Sequence, residues 1–220
     1  MNASPNTPVH LPTDTPANAP ANASASLREV IGLDGTLPRL ADSALVLIDF
    51  QNTYRSGVMA LEGAEPALAA GARLLAAARA AGAPVVHVVN DGGEGSPYDI
   101  RAEIGAISPE VAPLEGEPVV VKQFPDAFHA TGLEKTLRDL GAGPDLVLAG
   151  FMTHMCVTFT AQGAFRLGYR PTVVAEATAT RALAAPDGTA VPAAVLQTAA
   201  LTTVTDLFGT VAPTVGHLTR

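Results

Sequence analysis

Ala44-Leu45-Val46-Leu47-Ile48-Asp49-Phe50 is an unbroken apolar run that ends in an acid. A strand with one wet face alternates apolar and polar residues. This run does not alternate, so it reads as a short strand covered on both faces. Similar runs recur downstream at Pro84–Asn90, Pro118–Lys122, Leu146–Phe151 and Pro171–Ala175, with a weaker one near Phe208–Val211. Helical patterns alternate with them. Ala64–Ala81 is rich in Ala and Leu and is closed by Gly82. Gly132–Leu140 carries Leu133, Leu137 and Leu140 at helical spacing, and His154–Leu167 and Val191–Leu207 follow. Strands alternating with helices at this spacing imply parallel crossovers. The expected fold is α/β: a three-layer α/β/α sandwich on a mostly parallel, Rossmann-like sheet. The expected strand order is 3-2-1-4-5, with the weak run as a sixth strand. Asp91–Tyr98 and Thr178–Gly188 read as loops bearing Gly and Pro.

The chain has 220 residues, enough for one domain plus a tail. Hydrophobic residues make up 48% and charged residues 15%, so a sizeable core is available. There are 13 basic and 21 acidic side chains and no run of Lys or Arg. Without a basic stripe, without Trp and with only three Tyr, the chain does not read as a nucleic-acid binder. A single cysteine excludes an internal disulfide and a multi-cysteine zinc site. No apolar stretch reaches the ~18 residues of a membrane span. Residues 1–26, built from Ala, Pro, Asn, Thr and Ser, are expected to be a disordered tail without signal-peptide character. Residues 27–42 read as a tether, and 43–220 as the domain. The expected location is cytoplasmic.

In an open α/β sheet the site lies beyond the carboxyl ends of the strands. Strand 1 ends in Asp49, strand 2 in Asn90 and Asp91, strand 3 in Lys122 and strand 5 in Glu176. Strand 4 is followed within five residues by Cys156. Each has a plain structural reading. Asp49 could cap a turn, Lys122 could snorkel outward, and Cys156 could be a small buried hydrophobe. Asp91 and Glu176 read as loop acids. Together, a thiol at a helix start, a cation expected on an adjacent strand end and an acid make a catalytic set without a histidine base. Helix start and cation favour the thiolate, and the acid can carry the proton.

Three separated segments then stand out: Leu47-Ile48-Asp49-Phe50-Gln51-Asn52, Val121-Lys122-Gln123-Phe124-Pro125-Asp126-Ala127-Phe128 and Gly150-Phe151-Met152-Thr153-His154-Met155-Cys156-Val157. In this order they resemble the isochorismatase-like cysteine hydrolases, from about Ser43 to Val211. The resemblance implies an Asp49–Lys122–Cys156 triad that hydrolyses amide, ureido or lactam C–N bonds through a thioester. It also implies a cis peptide at Phe151–Met152 and an oxyanion hole made by the N–H groups of Met152 and Cys156. Gly163 departs from the pattern, because many members carry an acid there. Nicotinamidases of the family bind a metal through histidines in the loop after strand 2. Residues 90–98 here contain none, and His87 lies within the strand as a core histidine. No metal and no cofactor are therefore expected.

The neighbouring motif positions Phe50, Gln51, Tyr54, Phe124, Phe128, Thr153 and His154 are the expected substrate contacts, in a largely aromatic and neutral pocket. His154 either lines that pocket or merely starts its helix. The expected partner is a small or flat amide, with no nucleic acid and no membrane. By resemblance the chain forms a homodimer or homotetramer. Two alternatives stand beside this reading: a vinyl-ether hydrolase of the isochorismatase type, against which Cys156 argues, and a non-catalytic small-molecule-binding homologue.

Overall fold

The computed structural model describes residues 24–219. Most of the expected N-terminal tail, residues 1–23, lies outside them. In chain order the elements are α1 (Leu27–Val30), β1 (Ala44–Ile48), α2 (Ala64–Ala80), β2 (Val85–Asn90), β3 (Val119–Lys122), α3 (Leu133–Asp139), β4 (Asp145–Phe151), α4 (Thr158–Arg166), β5 (Arg170–Ala179), β6 (Leu183–Ala184), β7 (Ala190–Val191), α5 (Ala193–Thr203) and β8 (Thr210–Ala212). Six strands form one parallel sheet in the order β3-β2-β1-β4-β5-β8. The expected order holds, and the weak run supplies the sixth strand.

All five residues of β1 are buried. Successive side chains point to opposite faces, so one strand feeds two cores. Leu45 and Leu47 pack with Leu68, Leu74 and Leu75 of α2. Ala44, Val46 and Ile48 pack on the other face with Leu133 and Leu137 of α3 and Ala161 and Ala164 of α4. This is why β1 reads as a continuous apolar run. The buried positions of α2, from Ala64 through Ala67, Leu68, Gly71, Leu74 and Leu75 to Ala78, recur every three or four residues, the period of one helix face.

Two segments differ from expectation. Leu148 pairs with Val173 and Gly150 with Thr178, so two steps on β4 oppose five on β5. This irregularity carries β5 past Glu176 to Ala179. Glu176 is therefore not a strand end at the site: it accepts the Val215 N–H at 2.7 Å and pairs with Arg73. The loop expected over residues 178–188 instead contains the antiparallel β6–β7 hairpin. Cross-strand pairing supplied by Leu183 and Val191 overrides its Gly and Pro content.

The tether packs on the C-terminal part of the fold. Ser26 and Glu29 form a capping box on α1. The Leu27 N–H donates to Asp206, and the Leu40 N–H to the Leu218 carbonyl. Among the described residues, no helix is long and apolar enough to cross a membrane.

Candidate active site

The carboxyl ends of β1, β3 and β4 each deliver one reactive side chain to a common point. Asp49 follows β1 with φ 52°, in the left-handed region. Few residues other than Gly occupy that region, at a cost of about 1–3 kcal/mol, and Asp tolerates it better than most. The turn is held by Asp49 N–H donating to the Val88 carbonyl at 2.9 Å and Gln51 N–H donating to the Asp49 carbonyl at 2.7 Å. Beside it, β4 comes so close to β1 that a Cβ on Gly150 would lie 1.8 Å from the Ile48 carbonyl oxygen. Only glycine permits that approach.

Lys122 ends β3, which is not the neighbour of β4. Strands β2 and β1 stand between them, correcting the expected adjacency. Contact is made because the long lysine side chain crosses the strand ends, where no ladder obstructs it. Cys156 lies in a single π-helical turn, Thr153–Val157, that precedes α4. Such turns recur at functional sites because they re-aim side chains.

Lys122 Nζ stands 2.8 Å from Asp49 Oδ2, and both side chains are fully buried. The same nitrogen is 3.2 Å from Cys156 Sγ and 3.3 Å from Asn90 Oδ1. Lys122 and Asp49 form a buried ion pair, and Lys122 and Cys156 are the side chains that face the Asp49 carboxylate. Burial raises the Asp49 carboxyl above the usual carboxylate range, while Lys122 opposes the rise. Burial works against the Lys122 ammonium, but attraction to Asp49 and Cys156 wins and holds it above its ordinary value. The Cys156 thiol is pushed up to about 12 by burial and by Asp49, with Lys122 pulling the other way. Burial and the nearby Asp49 thus favour the thiol form, from which the expected scheme has Asp49 remove the proton. The site is a thiol, a cation and a carboxylate of raised basicity. The peptide Phe151–Met152 is cis, and among the described residues the Met152 N–H has no hydrogen-bond acceptor.

The isochorismatase-domain family model matches residues 43–214. The chain belongs to the isochorismatase family. A solved isochorismatase from Pseudomonas putida superposes with a TM-score of 0.84 at 40% identity, covering 88% of this chain and 99% of that one. A secreted isochorismatase effector of Verticillium dahliae is 35% identical over 187 residues, 84% of this chain and 95% of its own length. Maleamate amidohydrolase of P. putida is 34% identical over 156 residues, 60% of this chain and 70% of the relative. This chain is an isochorismatase-family hydrolase.

The remaining residues singled out in this family member divide sharply. Tyr54 is buried, edge-on to Phe151 and Tyr98. Its phenol is driven upward by burial and then by the charges of Asp49 and Cys156, which places it beside the reactive groups. Thr153 is fully buried with an unpartnered hydroxyl. His154 is half-buried and hydrogen-bonded through Nδ1 to Thr180. Burial lowers its pKa, and Arg181 adds to the lowering.

The other expected pocket residues serve the framework. Phe50 is core: its ring is 4.8 Å from that of Phe151 and covers Gly71, where a Cβ would meet it at 2.6 Å. Gln51 is a buried brace, donating to the Asn90 and Gly105 carbonyls and accepting the Asn90 N–H. Phe128 stacks on Tyr169 at 5.8 Å in the α3–α4 layer. Phe124 is 49% exposed and lies against His129. Among the described residues it makes no aromatic or hydrogen-bonded contact with the three reactive side chains.

Gly163 has a local reason. A Cβ there would fall 2.3 Å from Asp126 Oδ1, so the Asp126 carboxylate fills the space an acid at 163 would need. His87 is a core residue, 2% exposed, with Nε2 at 2.9 Å from Glu117. Among the described residues, no group of three or more His, Cys, Asp or Glu could hold a metal. A cavity of about 680 Å³ lies away from these groups, between residues 24–37 and 202–211. Sequence reasoning passed over two residues beside the site. Asn90 was visible as a strand end, but nothing in the chain marked it as the partner of Lys122. Tyr98, edge-on to Tyr54, lies in an irregular segment without a pattern to flag it.

Proposed function

We propose that the chain hydrolyses the C–N bond of a small amide-type substrate, with Cys156 as nucleophile. The observation that carries this is Lys122 Nζ poised 2.8 Å from Asp49 and 3.2 Å from Cys156 in a buried pocket. The amidohydrolase among the relatives supports the reaction class.

Asp49 takes the Cys156 proton as Sγ bonds to the amide carbonyl carbon. Burial and Asp49 hold the thiol above its ordinary value, so proton transfer to Asp49 accompanies attack. The raised basicity of Asp49 assists transfer, and Lys122 balances the charge that moves from oxygen to sulfur. The tetrahedral oxyanion takes hydrogen bonds from the N–H groups of Met152 and Cys156. Asp49 returns the proton to the departing nitrogen, and the C–N bond breaks. Asp49 then takes a proton from water, whose oxygen attacks the thioester. The sulfur leaves and regains its proton, and the carboxylic acid departs. The three groups titrate as a set.

Mass spectrometry of an amide and lactam panel, wild type against Cys156→Ser and Cys156→Ala, tests the scheme. Turnover with an acyl adduct on Cys156, lost in both variants, is expected. Full turnover in Cys156→Ala would overturn it and favour the vinyl-ether reaction.

A further inference from the structure

Lys122 is 1% exposed, so its ammonium depends on the protein for hydrogen-bond partners. An ammonium carries three N–H donors and no acceptor. Three acceptors stand around Nζ: Asp49 Oδ2 at 2.8 Å, Cys156 Sγ at 3.2 Å and Asn90 Oδ1 at 3.3 Å. Two of them belong to the groups between which the proposed reaction moves a proton. Asn90 is the third, and its amide carries no net charge at any working pH. Because the ammonium only donates, that amide turns its oxygen to Lys122.

Asn90 is itself held from two sides. It stands opposite Lys122 in the β2–β3 register, and the Asp91 N–H donates to the Lys122 carbonyl at 2.9 Å. On the other side the fully buried Gln51 closes on its backbone. The Gln51 amide accepts the Asn90 N–H and donates to the Asn90 carbonyl, each at 3.0 Å. It also donates to the Gly105 carbonyl at 2.7 Å, so both amide hydrogens are engaged by backbone. Gln51 lies two residues from Asp49. One brace thus ties the strand end that carries the acid to the strand end that carries Asn90, and it leaves the Asn90 side chain to Lys122.

Resting on the amidase reading, we propose that Asn90 is a positioning residue: its side-chain oxygen holds the third Lys122 N–H and keeps the ammonium aimed between Asp49 and Cys156 during proton transfer, while Gln51 sets Asn90 in place. An apolar side chain at this position leaves a buried N–H unpaired, which disfavours the charged amine. A weaker cation then supports the thiolate less. The other titratable groups facing the set are Tyr54, Tyr98 and Asp126, from the segments after β1, β2 and β3. Substitution of Asn90 leaves all three in the chain.

Iodoacetamide alkylation of Cys156 and turnover of the amide panel, measured side by side, test the role. In Asn90→Leu, kcat should fall about 10- to 100-fold with KM nearly unchanged, the range for losing a hydrogen bond to a charged group. Alkylation at a fixed, mildly alkaline pH should slow about 10-fold, equivalent to an upward shift of about one unit in the thiol. In Asn90→His, whose ring nitrogen can accept in place of the amide oxygen, both rates should stay within about threefold of wild type. A Lys122→Met background identifies the route. There, adding Asn90→Leu should change alkylation by less than about twofold, because the coupled partner is already gone. A merely structural residue would slow alkylation alike in both backgrounds. Thermal melts establish that each variant folds, with Asn90→Ala and Lys122→Gln as replacements for any that does not. Unchanged kcat in Asn90→Leu, lost kcat without slower alkylation, equal slowing in both backgrounds, or Asn90→His as impaired as Asn90→Leu overturns the positioning role alone. If no amide is turned over and Asn90→Leu slows alkylation only where Lys122 is present, the positioning role stands and the amidase reading falls. No turnover and no slowing overturns both.

Discussion

Two clusters of ionisable groups lie beside strands β2 and β3, one half-buried around Glu117 and one fully buried around Asp49, and they are built on opposite terms. At one, Glu117 accepts from Arg79 at 2.8 Å through both carboxylate oxygens, from the Leu114 N–H at 2.9 Å, and lies 2.9 Å from His87 Nε2. Every side chain there has a directed partner. At the other, the fully buried Asp49 carboxylate has Lys122 at 2.8 Å and Cys156 as its side-chain partners, both of them reactive groups. The Arg79 side chain and its bonds hold the Glu117 carboxyl down to about 2, whereas burial holds Asp49 above its ordinary range. A satisfied carboxylate is a brace. A fully buried one that faces other reactive groups keeps a raised basicity for proton transfer.

The comparison breaks first on Asp49→Asn. Turnover should fall at least ~10³-fold, about the contribution of a positioned acid–base group. Because Asp49 raises the Cys156 thiol, the variant's thiol should titrate at lower pH, read by the pH dependence of iodoacetamide alkylation. A large loss of turnover with no shift in alkylation would sever Asp49 from Cys156. Lys122→Met removes the only cation of the set and strands a buried carboxylate. It should cost about 3–5 kcal/mol in urea denaturation, besides abolishing turnover. Unchanged stability would mean that Asp49 is neutral in the fold.

At the satisfied cluster, Glu117→Gln should cost about 1–3 kcal/mol through lost charged hydrogen bonds, with turnover kept. A matching loss of turnover would show that the two clusters are coupled. The smallest effect is its pH signature. With the folded carboxyl near 2 and an ordinary value of 4.5, the unfolded chain binds the proton more readily. Stability from Glu117 is present above 4.5 and is lost as pH falls toward 2. His87 is lowered from 6.5 by burial, against the pull of Glu117, so it too costs stability as pH falls below 6.5. Urea midpoints from pH 7 to 3 should decline in wild type and decline less below 4.5 in Glu117→Gln. Parallel curves would remove Glu117 as the cause.

Much of this was legible beforehand. Asp49, Lys122 and Cys156 were legible because each follows a run of residues buried on both faces, and such runs end where an α/β sheet places its chemistry. His87 could be read as core because it lies inside such a run. Phe50, Gln51 and Phe128 could not be placed by their nearness to those motifs. Rotation at the strand end turns each into the core, and whether Phe50 meets Gly71 of α2 depends on packing between segments distant in sequence. The balance of forces on Cys156 could not be read for a related reason. A lysine lowers a thiol, while depth of burial and the closeness of Asp49 raise it, and neither distance nor depth is visible along the chain.

By itself, then, the sequence determined the alternation of covered strands and amphipathic helices, hence the parallel sheet, its order and three of its polar strand ends. These follow from local periodicity and from the hydrophobic effect acting on it. Only the tertiary structure decided that Lys122 reaches past β2 to Asp49 and on to Cys156, and that Asn90 joins it. Charges, hydrogen bonds and burial depend on distances between segments far apart in the chain, and those distances exist only once the sheet has formed.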